Sequence, residues 1–282
     1  RRILVALDAS PHSQAALNSA VRLAATLGAE LRGLFIEDET LIRAAKLPFA
    51  NEVRTYSSPP RPLTGDRMER QIRDRAEYAK YSLKRLANQA DIAHSFETLR
   101  GKVVDEVLAA AEDADLLALG KAGTRSSRRR LGPKARRLLT QAPTPVLVLR
   151  ERLRYFQPVV TYYDGSDAAA HALRLAAQLS RLSEESPLKV LIPSGHADTY
   201  AALREDVIAE FGSSLPGLHV RAVIRPTPGR LAAIAREESS GLVVFPIAVL
   251  SSRDAKSADE TTGDSSLQSF LYELDSPVVL VK

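Results

Sequence analysis

The two halves of this 282-residue chain begin and end in the same way. Near the start of each half, a short apolar run is followed by Asp-x-Ser, at residues 8–10 and again at 164–166. Each half closes on a proline followed by four apolar residues, at 145–149 and 277–281. A repeat of this kind predicts a duplicated fold. We therefore expect two domains, residues 1–150 and 151–282.

Within each half, short apolar runs alternate with helical patterns. Continuous apolar runs bounded by turn residues are typical of strands buried on both faces, as in parallel sheets. The alternation predicts an α/β fold of two tandem doubly wound domains, each with a five-stranded parallel sheet. Right-handed crossovers would then place the turn at Asp8 and the loop after Gly120 on the same edge of the sheet. The strand candidates of the first half are 3–7, 31–36, 95–99, 116–119 and 146–149.

A long excursion, residues 37–92, separates the second and third strands of the first half. It contains an irregular stretch and then a strongly helical pattern from Asp66 onward. We expect Tyr78 and Tyr81 on this helix to be packing groups rather than platforms for stacked bases. Connections of this length are often functional, but the sequence assigns this one no role.

The apolar run 116–119 opens into a glycine-punctuated, arginine-rich loop. In open parallel sheets, ligands bind beyond the carboxyl ends of the strands, where backbone N–H groups can face an anion. The loop is therefore a candidate anion site. Two alternatives stay open: the glycines serve turns with positive φ, and the eight Lys and Arg residues between Lys121 and Arg137 form a solvated face.

Composition excludes several functional classes. The chain has no Cys, so disulfides, thiol catalysis and thiolate metal sites are excluded. The five His show no metal-ligand spacing, and no catalytic motif is present, so we expect neither a metal site nor an enzyme. No apolar run is long enough to span a bilayer, and no leader pattern opens the chain. A cytoplasmic protein that does not bind membranes is expected.

These features together resemble the universal stress protein family in its tandem two-domain form. The resemblance rests on the strand ending in Asp-x-Ser, the Ala/Leu-patterned first helix, the Gly-x-x-Gly after the fourth strand and the terminal Pro-Val-Leu-Val. It implies a non-enzymatic stress-response protein with an adenine nucleotide, ATP or AMP, in the N-terminal domain. The residues it implies for nucleotide binding are Asp8 at the adenosine, Ile36 near the base, and Gly120, Gly123 and Gly132 around the phosphates. Ala122 and Arg125, in the same stretch, are further candidate nucleotide-binding residues.

Two departures from the family pattern weaken the expected phosphate site. One residue fewer than in the family pattern separates Gly123 from Gly132, and Pro133 stands where the family has Ser or Thr. Proline offers neither an N–H nor a hydroxyl, and each hydrogen bond to a charged group is worth about 1.5–3 kcal/mol. Arg125 and the arginines at 128–130 could compensate by pairing with the same phosphates.

The second half departs further. Pro246 and Val249 occupy the positions of the two loop glycines, so we interpret this half as a structural partner without a nucleotide site. The family pairs domains through their last strands, which predicts self-association of 146–149 with 278–281 as an intramolecular pseudo-dimer. The alternative function is a nucleotide-independent member that acts by protein–protein interaction. An ATP-hydrolysing enzyme ranks last, and nucleic-acid binding is disfavoured because no recognition motif accompanies the arginines.

Overall fold

The computed structural model describes residues 1–47, 51–52, 61–62, 64–120, 132–149, 158–181, 187–215, 217–251 and 262–282. The chain divides into two compact units. Arg1–Gly120 and Lys134–Pro143 form the first, and the second is built mainly from Thr144–Lys282. The predicted domain boundary near residue 151 falls outside the described residues and stays a prediction.

The first unit is a parallel sheet in the order β5-β2-β1-β6 with helices packed on it. The doubly wound α/β prediction is confirmed. A two-residue antiparallel ribbon, β3 with β4, lies in the excursion. The elements are β1 (Arg2–Leu7), α1 (Pro11–Leu27), β2 (Glu30–Asp38), α2 (Glu39–Ala45), β3 (Asn51–Glu52), β4 (Arg61–Pro62), α3 (Gly65–Gln89), β5 (His94–Gly101), α4 (Val103–Ala111), β6 (Leu116–Gly120) and α5 (Pro133–Gln141).

Helix α1 begins and ends where its sequence predicts. The Ser10 hydroxyl accepts the Ser13 N–H at 3.2 Å, and Pro11 occupies the first helical position, where its missing N–H costs nothing. Gly28 ends the helix in the left-handed region at φ 58°. The apolar stripe between these caps, including Leu17 and Leu23, is buried against the sheet. Local signals therefore fix this helix directly after the Asp8 turn.

The long helix α3 contributes to the core through a narrow stripe. Its buried face includes Ile72, Ala79 and Leu83. Leu83 packs so close to β2 that a Cβ on Gly33 would lie 2.3 Å from Leu83 Cδ1. Tyr78 and Tyr81 fall outside this stripe, with 55% and 66% of their surface exposed. The expectation that they are packing groups was wrong, because the stripe at helical spacing is filled by smaller residues and leaves the rings in solvent.

The second unit carries a sheet in the order β10-β9-β8-β11-β12-β7, parallel except at its β7 end. There β7, the last strand of the first repeat, runs antiparallel to β12, with Leu147 opposite Val279. The predicted pairing of the terminal strands within one chain is confirmed. The elements are β7 (Val146–Leu149), β8 (Val159–Tyr162), α6 (Asp167–Ser180), β9 (Leu188–Pro193), α7 (Ala197–Phe211), β10 (Leu218–Val223), α8 (Pro228–Glu237), β11 (Leu242–Pro246), α9 (Ile247–Ser251), α10 (Thr262–Glu273) and β12 (Val278–Val281).

Candidate functional site

Three adjacent strands of the first unit end at the same edge. Leu7 pairs with Phe35 of β2, and Val5 pairs with Ala118 of β6. Asp8, Ile36 and Gly120 therefore lie together at the carboxyl ends of β1, β2 and β6, which is where parallel sheets bind ligands. The prediction that the Asp8 turn and the start of the glycine loop share one edge is confirmed.

Asp8 organises the turn that leads into α1. Its Oδ1 accepts the Ser10 N–H at 2.9 Å, and Ala9 between them adopts φ 59°, a conformation unusual for alanine. The Asp8 side chain is exposed. A carboxylate can accept several hydrogen bonds, so it can order this turn and still accept one from a ligand hydroxyl.

The same turn recurs in the second unit. Asp164 Oδ1 accepts the Ser166 N–H at 3.0 Å and the Ser166 hydroxyl at 2.6 Å. Gly165 takes φ 84°, and the Ser166 hydroxyl accepts the Ala169 N–H at 3.3 Å to cap α6. Helix capping therefore accounts for the Asp-x-Ser pattern in both repeats.

Gly120 is required by close packing rather than by a strained turn. A Cβ at this position would lie 2.6 Å from the His12 carbonyl oxygen and 3.2 Å from the Ser13 nitrogen. The described glycines with positive φ are Gly28 and Gly165, so the alternative of a left-handed turn at Gly120 was wrong. The absence of a side chain lets the first turn of α1 approach the end of β6.

The remaining predicted phosphate contacts are less constrained by the structure. Gly132 directly precedes α5 and is exposed, and a Cβ there would meet no atom within 4 Å. Packing therefore gives no reason for a glycine at that position. Ala122, Gly123 and Arg125 lie outside the described residues, so their predicted roles stay predictions.

An ion pair at the same edge was not predicted. Asp38, at the end of β2, accepts a hydrogen bond from the Lys134 ammonium through Oδ2, and its Oδ1 accepts the Thr40 N–H at 2.9 Å to cap α2. Burial works against ionisation of Asp38, but Lys134 and the Thr40 N–H prevail and lower the pKa of the carboxyl. Asp38 thus stays ionised in a largely buried position. The sequence offered the cap pattern at Asp38 as a signal, but nothing that identified Lys134 as its partner.

The corresponding edge of the second unit is built differently. Helix α9 begins immediately after β11, so a helical turn follows Pro246, at the position that corresponds to Gly120 in the first repeat. Leu250 of this helix is fully buried, and Pro246 is buried as well. This local structure supports the interpretation that the second repeat has no phosphate cradle at this strand end.

Within the described part of the chain, no group of three or more His, Asp or Glu side chains is placed to hold a metal ion. In the same residues, no helix combines the length and the apolar character that crossing a bilayer requires.

Comparisons with known proteins agree with this architecture. Residues 1–150 match the model of the universal stress protein family. A universal stress protein from Archaeoglobus fulgidus DSM 4304 superposes with a TM-score of 0.75 at 20% identity, covering 100% of this chain and 98% of that one. A putative universal stress protein from Pseudomonas aeruginosa UCBPP-PA14 gives 0.63 at 17% identity, with 100% and 93% coverage. These likenesses show the fold. No curated protein matches the chain in sequence.

Proposed function

The chain belongs to the universal stress protein family, and we propose that its first unit binds an adenine nucleotide, ATP or AMP, without catalysing a reaction on it. The observation that carries the proposal is the meeting of Asp8, Ile36 and Gly120 at the carboxyl ends of three neighbouring parallel strands. These are the residues that the family pattern assigns to the adenosine, the base and the first phosphate contact.

Each of the three residues can supply a distinct part of nucleotide recognition. The exposed Asp8 carboxylate can accept a ribose hydroxyl while it keeps the Ser10 N–H. Ile36 is half-buried at the end of β2 and offers an apolar surface for a base. Gly120 ends β6 next to the strand that leads into the Asp8 turn, so its backbone lies at the strand end where a ligand is expected. The proposed phosphate contacts of Ala122, Gly123, Arg125 and Gly132 complete the site.

The proposal of a binding protein rather than an enzyme rests on the roles of the carboxylates at this edge. Asp8 orders the turn before α1, and Asp38 is occupied by Lys134 and the Thr40 N–H. A general base needs a carboxylate that can take up a proton near neutral pH. The lowered pKa of Asp38 is unfavourable for that role.

The second repeat provides the control for the test. Asp8→Ala removes both the turn acceptor and the proposed ribose contact, whereas Asp164→Ala removes only the equivalent turn acceptor. We expect ATP or AMP to raise the melting temperature of the wild type and of Asp164→Ala, and to leave that of Asp8→Ala unchanged. Native mass spectrometry of freshly purified protein should detect a co-purified adenine nucleotide.

One observation favours the alternative of a nucleotide-independent interaction protein. Tyr78 and Tyr81 lie one helical turn apart on α3 and are both more than half exposed, and exposed aromatic groups are common at protein interfaces. If millimolar nucleotide produces no thermal shift in the wild type, the nucleotide proposal is wrong and this alternative is preferred.

A further inference from the structure

We propose that Lys134 contacts the phosphate of the bound nucleotide and is held at the site by the buried carboxylate of Asp38. The inference rests on the proposed function and adds a residue to it. Lys134 is the second residue of α5, the helix that follows the glycine loop, and its ammonium donates a hydrogen bond to Asp38 at the carboxyl end of β2.

The position of Asp38 places the ammonium at the predicted site. Side chains two residues apart on a strand point to the same face, so Asp38 lies on the face of β2 that carries Ile36, one step further toward the carboxyl end. Lys134 therefore starts in the first turn of α5, two residues after the predicted phosphate contact Gly132, and its side chain reaches the strand end beside Ile36.

The two members of the pair are unequally buried. The Asp38 side chain is 7% exposed, and the Lys134 side chain is 58% exposed. Asp38 is fixed further by its hydrogen bond from the Thr40 N–H, so it acts as an anchor. An ammonium has three donors. With one directed at Asp38, the exposed part of Lys134 can donate to a phosphate oxygen without leaving a buried carboxylate unpaired.

A contact between Lys134 and the phosphate would replace the hydrogen-bond donors that this chain lacks at position 133. Pro133 stands where the family pattern has Ser or Thr, and proline provides neither the N–H nor the hydroxyl. Lys134 is the next residue and supplies charged donors in the same first turn, where the helix dipole also favours an anion. The ligand that benefits is a nucleotide with at least one phosphate, and adenosine alone would gain nothing from Lys134.

The test compares ADP with adenosine by isothermal titration calorimetry. In Lys134→Met we expect ADP affinity to fall about tenfold to a hundredfold, the range for one hydrogen bond to a charged group, and adenosine affinity to change less than twofold. Lys134→Arg should restore most of the ADP affinity. Lys84→Met, on the exposed face of α3, is the matched control for net charge and should bind both ligands like the wild type.

A second variant separates phosphate contact from a merely structural role. Lys134→Met leaves Asp38 unpaired, so the double variant Asp38→Asn/Lys134→Met removes both charges, while the side-chain amide oxygen that it introduces can still accept the Thr40 N–H. The loss of affinity for ADP, without a matching loss for adenosine, should persist in this double variant. Equal losses of ADP and adenosine in both variants, or unchanged ADP binding in Lys134→Met, would overturn the assignment of Lys134 alone. A wild type that binds neither ligand would instead refute the nucleotide site itself, and Lys134 with it.

Discussion

Substituting Gly120 by alanine tests whether close packing at the end of β6 builds the site. The new Cβ would lie 2.6 Å from the His12 carbonyl oxygen and 2.9 Å from the His12 carbonyl carbon. Both atoms belong to the backbone of α1, so no side-chain rotation relieves the contact. The strand end and the first turn of α1 must separate until ordinary contact at 3.4 Å is reached.

Overpacking of this kind destabilises proteins by about 1–3 kcal/mol. For a unit of this size, each kcal/mol lowers the melting temperature by on the order of 4 °C. We therefore expect Gly120→Ala to melt roughly 4–12 °C below the wild type by far-ultraviolet circular dichroism. Because the Asp8 turn leads directly into the displaced first turn of α1, nucleotide affinity should fall as well, even at temperatures where the variant is fully folded.

Two other glycines serve as controls for this prediction. A Cβ on Gly132 or Gly195 would meet no atom within 4 Å, and neither residue has a positive φ. Alanine at either position should therefore leave the melting temperature within about 2 °C of the wild type, since open positions contribute little strain. A Gly120→Ala variant as stable as these two would refute the close approach of α1 to β6.

Two further predictions concern the charge and the packing of the two strand ends. Asp38→Asn keeps an acceptor for the Thr40 N–H but removes the charge, so it should unfold at a lower urea concentration than the wild type at pH 7. Because the pKa of Asp38 is lowered in the folded state, its ionic stabilisation is present above the unfolded pKa of about 3.9 and is lost as the pH falls through the folded value. A difference between the variant and the wild type that does not shrink as the pH falls below about 3.9 would contradict this. Leu250→Ala removes a fully buried side chain from α9 and should cost about 2–5 kcal/mol in urea unfolding. It should leave nucleotide affinity unchanged, and a loss of binding by the folded variant would place the ligand in the second unit instead.

The strands, the helix caps and the shared edge could be predicted because their signals are local or repeat along the chain. Continuous apolar runs identified the parallel strands, and Ser10, Pro11 and Gly28 marked the ends of α1 within a residue. Right-handed crossovers then placed Asp8 and Gly120 at one edge without any knowledge of distances.

The Asp38–Lys134 pair could not be predicted because its members are 96 residues apart and belong to elements that are not neighbours in sequence. The reason for a glycine at 120 was also hidden, since it depends on how closely α1 approaches β6. Tyr78 and Tyr81 were a different kind of error. Their spacing from Ile72 and Leu83 already places them outside the buried stripe of α3.

The duplication shows which sequence features can identify a ligand site in this chain. Both repeats keep an aspartate that accepts the N–H of the serine capping the next helix, with a left-handed residue between them. Because the fold needs this turn in either copy, Asp8 by itself does not distinguish a binding repeat from a structural one. The repeats differ after the fourth strand. In the first, Gly120 lets the first turn of α1 approach the end of β6, and a glycine-rich sequence follows, whereas in the second, Pro246 leads directly into α9, which contains the fully buried Leu250. The case for a nucleotide in the first unit therefore depends more on the glycine-rich sequence that begins at Gly120 than on the aspartate that both repeats share.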